Sequence, residues 1–589
     1  AAYFAARHAA NEESMEYFAI GVCVIVAVVT SLYWFRRLYV LATRTAVAKE
    51  KKTPGWALPI VVLSRPIQRI AISRFPFFVS SAHFLLVTAY LVLNIVLLCT
   101  NVTLDYGTIA NRAGWLATSN MCVVVFLALK HTPLALLSRT SYERLNPLHQ
   151  LAGCLTIALV VIHGVAYTVR FMDMGRSEML RRPKDIAGIV AGFTMAMMGF
   201  VPLLLKARYY EVFYATHIIF FIGTIVATAI HQPAMASKVA IMTTVAGAIW
   251  CGDRLLRLTR ACFNFLSGNE ATLYPLPDGS TRVILAKAPP HTKGGKHLFL
   301  WIPAASRGAF LQSHPFSIVS VSEDGKRNAE LVVRARNGFT RRLHDLALKN
   351  PGIRIRAAAD GAYGVVPSTS PKIYDKVVLV AGGSGASFSF GLVRDLLQRM
   401  EVEKNSVGKD KTTAKRMHIE LIWVVRYVED LAWFADSLRL LREHPQAPNV
   451  NATLHVTTMR GIVMEESGRE SDEVPDAPGM EKAFEEITTF SPLNNRSQTA
   501  DEEKHIGSSS VGSPGGSEII HESGHRMHCG RPNLEDEIAK AISSVEPYQR
   551  VLVAACGPDG MMRIVRRAVA RNVKANGPAV EFHAEAFGW

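Results

Sequence analysis

The sequence predicts a multi-domain chain: an α-helical transmembrane bundle, then an antiparallel β-barrel, then a doubly wound α/β domain. Three observations predict it. Nearly all the long apolar runs of the 589 residues lie before residue 252. Short β-like segments follow, among them TRVILA, HLFLWI and AELVVRA. Further on, apolar strands run into glycine turns and then into helical patterns, at 375–397 and again at 550–565. A chain this long exceeds a single core. The boundaries expected are 1–76 for an N-terminal segment with a first span and a basic loop, 77–255 for the remaining bundle, 262–370 for the barrel and 371–589 for the α/β domain.

A spanning helix needs about 20 mostly apolar residues. Seven stretches qualify: 17–38, 77–99, 114–131, 147–169, 186–205, 210–231 and 235–251. The apolar piece at 57–63 is too brief to span. Between the first two spans lie Arg36, Arg37, Arg44, Lys49, Lys51, Lys52, Arg65, Arg69 and Arg74, and after the last lie Arg254, Arg257 and Arg260. Loops rich in Lys and Arg stay in the cytosol. Seven crossings then place the N-terminus outside, the sequon Asn101-Val102-Thr103 outside, and the C-terminal half in the cytosol. The loop with Arg170, Arg176, Arg181, Arg182 and Lys184 runs against this rule. The same basic loops account for much of the net charge of +16, so nucleic acid is not an expected partner. The eight cysteines form no CxxC pair, which argues against a disulfide framework or a zinc site.

Two spans carry paired histidines. His149 and His163 are fourteen residues apart, and so are His217 and His231. Fourteen residues make about 3.9 helical turns and about 21 Å of rise, so each pair occupies one face and reaches toward both sides of a hydrocarbon core of about 30 Å. A full span returns between the two helices, so they run parallel. His149 is then level with His217, and His163 with His231. Facing imidazoles can clamp a flat metal macrocycle, and two levels would hold two haems across the bilayer. The alternative is that each histidine is satisfied by a neighbouring helix, but ionisable residues inside membranes are costly and usually functional. His83, alone on its span, is read as structural.

In the soluble half, His314-Pro315-Phe316-Ser317 lies on a strand edge, with an aromatic ring suited to a flavin and a hydroxyl suited to its ribityl chain. RNGFTRRL adds Gly338 and Thr340 at the start of a helix, a place for a pyrophosphate, with Arg334 or Arg336 for charge. Gly382-Gly383-Ser384-Gly385 follows a buried strand and opens a helix, the nucleotide-binding arrangement of a doubly wound sheet. Arg426 ends another strand, where its guanidinium suits a 2′-phosphate and hence NADPH. Cys556-Gly557-Pro558 begins a glycine turn suited to nicotinamide, and a terminal Trp589 could cover a flavin face. Residues 402–416 and 462–532 read as mobile polar inserts. His521, His525, His528 and Cys529 lie in the second, where a solvated loop is the simpler reading than a metal site.

The paired histidines, HPFS, GGSG, CGPDG and a terminal FGW occur in that order, and over roughly residues 77–589 the chain resembles the ferric reductase and NADPH oxidase superfamily, the fungal ferric reductase branch in particular. The resemblance implies a ferredoxin reductase-like soluble half, two b-type haems on His149/His217 and His163/His231, FAD on His314, Pro315, Phe316 and Ser317, and NADPH on the glycine turns. Ala362 in GAYG stands where the family commonly has proline. Together these readings point to an integral protein of the plasma membrane, passing electrons from cytosolic NADPH through FAD and haems to an extracytoplasmic ferric or cupric chelate. The rival is an NADPH oxidase, making superoxide from oxygen with the same parts. A transporter or receptor with a degenerate cytosolic half is the rival of another class. The intact glycine turns count against it.

Overall fold

The computed structural model describes residues 2–232, 236–306, 313–322, 327–368, 370–406, 417–458, 518–520 and 525–585. The N-terminal region is a bundle of α1 (Ala2–Glu50), α2 (Leu58–Ile72), α3 (Ser81–Cys99), α4 (Tyr106–Ala128), the short α5 (Leu134–Leu137), α6 (Tyr142–Asp173), α7 (Pro183–Leu205), α8 (Tyr210–His231) and α9 (Ser237–Leu266). Six described helices are long and apolar enough to cross a membrane: Ala5–Val47 within α1, and α3, α6, α7, α8 and α9. The first is far longer than the expected 17–38. The last continues well past the expected 251 and runs unbroken through the boundary placed at 255–262.

The expected span 114–131 differs in kind. It is the helix α4, which falls outside those six because it carries polar side chains that lipid would not tolerate. Arg112, Ser119 and Asn120 are all buried. Arg112 donates to Asn11 Oδ1 at 2.7 Å and to the Leu97 carbonyl at 2.6 Å, and Asn120 donates to Asn94 Oδ1 at 2.7 Å. Neighbouring helices satisfy these groups, so α4 belongs to the centre of the bundle and its neighbours face the lipid. The apolar piece at 57–63 is likewise part of something larger, the fifteen-residue helix α2.

The bundle leads into seven strands, β1 (Glu270–Leu276), β2 (Ser280–Leu285), β3 (His297–Trp301), β4 (His314–Ser322), β5 (Asn328–Arg334), β6 (Ile353–Arg356) and β7 (Ala358–Tyr363), with α10 (Phe339–Lys349) between β5 and β6. Their order is β6-β1-β2-β5-β4-β3-β7, all antiparallel. The two end strands are separated by the single residue Ala357, so the sheet must curl until its edges meet, as the expected barrel does. Leu273, Val283, Leu298, Leu300, Ile318 and Leu331 fill it, and Phe339 and Leu343 of α10 close one end.

The last domain holds β8 (Lys376–Gly382), β9 (His418–Val425), β10 (Val450–Val456), β11 (Glu518–Ile520), β12 (Arg526–Cys529), β13 (Arg550–Cys556) and β14 (Ala579–Glu585), with α11 (Ala386–Ser406), α12 (Ala435–Glu443), α13 (Leu534–Ser543) and α14 (Asp559–Asn572). The order is β11-β12-β10-β9-β8-β13-β14, parallel except for β11. β8 and β13 are buried along almost their whole length, as strands covered on both faces are. Two expectations about inserts are corrected. The first five residues of 402–416 continue α11. Within 462–532, β11 and β12 add to the sheet edge, and Met527 packs into the core. Apart from His525 and residues 530–532, the rest of both inserts lies outside the described residues.

Candidate functional site

The four histidines of α6 and α8 form two levels. The ring centroids of His149 and His217 are 6.5 Å apart, and those of His163 and His231 are 5.9 Å apart. Both pairs close only if the helices run parallel, as the return through α7 requires. Three of the rings are oriented by backbone. Nδ1 of His149 bonds the Val124 carbonyl at 2.9 Å, that of His163 the Ala110 carbonyl at 2.8 Å, and that of His231 the Lys184 carbonyl at 2.7 Å. A carbonyl only accepts, so Nδ1 carries the proton and Nε2 keeps its lone pair. Nδ1 of His217 is buried without such a partner. Since α4 accepts from α6 at both levels, it runs antiparallel beside α6 across the same thickness.

Glycines that sequence reading passed over make room for the second level. A Cβ on Gly114 of α4 would lie 2.5 Å from the His163 ring, and one on Gly188 of α7 would lie 2.6 Å from that of His231. Neither could be any other residue without moving an imidazole. His83 has no such setting: its ring lies edge-on to Phe78 and faces no second histidine among the described residues.

Below the first level, each histidine helix carries a glutamate six residues before its first histidine, Glu143 on α6 and Glu211 on α8. The shared offset is a signal that the sequence itself carries. Glu143 pairs with His297 Nε2 of β3 at 2.8 Å, the two side chains 6% and 1% exposed. Glu585, at the end of β14, brings its carboxylate into the same group, the ligand-type atoms of the three lying within 4.8 Å of one another. Burial pushes the Glu585 carboxyl up to about 7. Glu211 accepts from the backbone N–H of Phe339 at 3.1 Å and lies 4.0 Å from His314 Nε2. Both histidine helices are therefore tied to the barrel through a carboxylate.

The barrel residues singled out from sequence sit close to these ties. His314, Pro315, Phe316 and Ser317 begin β4, and Ser317 lies opposite His297 in the β3–β4 register. His314 stacks on Phe339 with centroids 4.3 Å apart. Burial, opposed by Glu211, lowers its pKa to about 4, so its contact with Glu211 at neutral pH is not an ion pair. Gly338 caps α10 with φ of 76°, and the anion at that helix start is the Glu211 carboxylate. Thr340 spends its hydroxyl on the backbone N–H of Arg336 at 2.8 Å. Arg334 pairs with Asp278 at 2.8 Å. Ala362 lies in β7, and the Gly361–Ala362 peptide is cis.

In the α/β domain the strand order reverses between β8 and β13, which is where such sheets bind ligands at the carboxyl ends of their strands. The two glycine turns meet there. A Cβ on Gly385 would lie 2.4 Å from the Cys556 carbonyl, one on Gly382 would lie 2.7 Å from Pro558, and one on Gly557 would lie 3.1 Å from Gly382 Cα. Gly383 and Ser384 form the turn between them, with Trp423 Nε1 donating to the Gly383 carbonyl at 3.1 Å. Burial pushes the Cys556 thiol up to about 12, so it stays protonated. Arg426 is exposed just past β9, its guanidinium over the Tyr427 ring. Trp589 lies outside the described residues, as does His521. His525 bonds the Leu438 carbonyl and His528 stacks on His455, so these do not gather with Cys529 into a ligand set.

Comparison with known proteins agrees with this division. The ferric reductase like transmembrane component matches residues 113–228, an FAD-binding domain matches 265–374, and the ferric reductase NAD binding domain matches 374–570. A probable ferric reductase transmembrane component of Candida albicans is 23% identical over 487 residues, covering 82% of this chain and 65% of that protein. The ferric/cupric reductase transmembrane component 1 of the same species is also 23% identical, with 82% and 57% covered. The ferric/cupric reductase transmembrane component 2 of Saccharomyces cerevisiae is 25% identical, with 82% and 61% covered. The chain thus spans roughly three fifths of the length of these curated relatives. In this order the chain therefore matches a ferric reductase like transmembrane component, an FAD-binding domain and a ferric reductase NAD binding domain.

Proposed function

We propose that the chain is an NADPH-dependent ferric-chelate reductase of the plasma membrane, taking electrons from the cytosol to a ferric or cupric chelate outside, with FAD on the barrel and a b-type haem at each histidine level. The observation that carries this reading is the pair of facing imidazole levels. With metal–imidazole bonds of about 2 Å, one metal atom between two rings sets their centroids about 6 Å apart, and the observed 6.5 Å and 5.9 Å fit that spacing. The donor chemistry fits as well, because neutral imidazoles with Nδ1 held by carbonyls offer Nε2 to a metal. When bound, the flavin converts a two-electron hydride into single electrons and the haems accept one electron each.

The chain's own residues position and exclude. His149 with His217 and His163 with His231 would hold the two haems, each pair offering imidazole nitrogen to the iron. The backbone amides of Gly382, Gly383, Ser384 and Gly385, opening α11, suit the pyrophosphate of the dinucleotide. Arg426 suits its 2′-phosphate, while Gly557 and Pro558 would leave room for the nicotinamide near Cys556. His314, Pro315, Phe316, Ser317, Gly338 and Thr340 would hold the flavin. No side chain is needed as general acid or base.

Anaerobic absorption spectroscopy of the full chain in lipid discs tests this. NADPH is expected to produce reduced b-type bands, and ferric chelate to abolish them without oxygen. Bands that remain reduced until oxygen enters would make the chain an oxidase. Absence of b-type bands would overturn the histidine assignment. Within this reading, Gly188→Val presses on the His231 ring only. It is expected to change the spectral signature of one haem while leaving the other intact, and to slow chelate reduction about 10-fold, as loss of a ligand's support does.

A further inference from the structure

The helix α2 is amphipathic in the inverted sense. Its inward face carries Ala57 just before it, then Val61, Arg65, Gln68 and Ile72. Arg65 and Gln68 bond the carbonyls of Pro578 and Val580 at the start of β14, Arg566 of α14 reaches the Ile72 carbonyl at 3.5 Å, and Ile72 packs on the core of the α/β domain. The outward face is apolar: Leu58, Val62, Leu63, Ile67 and Ile70 are each at least 50% exposed, as is Trp56. A helix beside water turns its apolar stripe toward protein and its polar side outward. Here the polar residues are spent on protein and the apolar stripe is left out, which is stable only if the outside is not water.

We infer that α2 lies in the plane of the membrane on the side of the soluble domains, its apolar stripe in the acyl chains of that leaflet and its inner face clamping the nucleotide-binding domain. The occupant follows from continuity with the lipid-facing surface. α2 is joined by seven residues to the membrane helix α1 and by eight to α3, so it cannot leave the bilayer surface. The exposed side chains Phe35 and Leu38 of α1 and Leu85 of α3 extend the same apolar surface on either side. At about 22 Å long, with a tryptophan at one end and exposed Lys51, Lys52, Arg69 and Arg74 around it, it has the composition of an interfacial helix over anionic headgroups.

The test is photochemical and does not depend on electron transfer. Leu63→p-benzoylphenylalanine and, separately, Ile67→p-benzoylphenylalanine are made in the full chain, in discs of phosphatidylcholine and phosphatidylserine. Ile219→p-benzoylphenylalanine on α8 serves as the lipid-facing control and Tyr274→p-benzoylphenylalanine on β1 as the water-facing one. Irradiation is expected to add the mass of one phospholipid at positions 63, 67 and 219, and none at 274. Cross-links from 63 and 67 to a second copy of the chain would overturn the inference. So would absence of lipid adducts there while 219 forms them.

Discussion

His163→Ala is expected to remove one of two b-type haem signals and to cut NADPH-driven chelate reduction by more than about 100-fold, beyond the loss seen when a ligand merely loses its support. Reduction of a soluble dye that takes electrons directly from the flavin should stay near the parent rate, since the barrel and the glycine turns are untouched. Redox-difference spectra and the two rates, measured on one preparation, separate these effects. His83→Ala is the matched control: its ring faces no second histidine among the described residues, so both haem signals should survive. Equal loss of haem in the two variants would mean that His163 supports the bundle in general and binds nothing.

Gly385→Val strikes the other end of the path. The added Cβ would meet the backbone carbonyl of Cys556 at 2.4 Å, a contact no side-chain rotation relieves. Overpacking of this kind costs about 1–3 kcal/mol, which a sheet buried on both faces can bear. Displacing reacting groups by about 1 Å costs about 100-fold in rate. Flavin reduction by NADPH should therefore fall about 100-fold, while dithionite still reduces both haems fully. A stopped-flow trace of flavin bleaching decides it. A near-parental rate would show that the dinucleotide does not lie across the junction of the β8 and β13 turns.

Some of this arrangement could be read from the chain alone. The histidine levels were legible because a helix converts a spacing of fourteen into a shared face, and two equal spacings on parallel helices align without further information. The glycine turns were legible because strand, turn and helix are adjacent in sequence. The pairing of Glu143 with His297 was not, since its partners are more than 150 residues apart and no periodicity links them. The glutamates were nonetheless offered by their common offset from the first histidine of each helix. The central place of α4 could not be read from the span 114–131, because an apolar average hides where Arg112 and Asn120 find partners. α2 was cut to a fragment because its stripe is interrupted by Arg65 and Gln68, the residues that hold the nucleotide-binding domain.

The two carbonyls of α4 that hold His163 and His149, at Ala110 and Val124, are themselves fourteen residues apart. They turn α4 into a ruler laid against α6. One residue inserted between Ala110 and Val124 rotates everything beyond it by about 100°, so that one imidazole keeps its carbonyl and the other loses it. The interval between the levels is therefore intolerant of any change in length, in either helix, whatever the side chains along it. Chain length can vary in the surface connections of the soluble half, while the separation of the two histidine levels is held by counting residues.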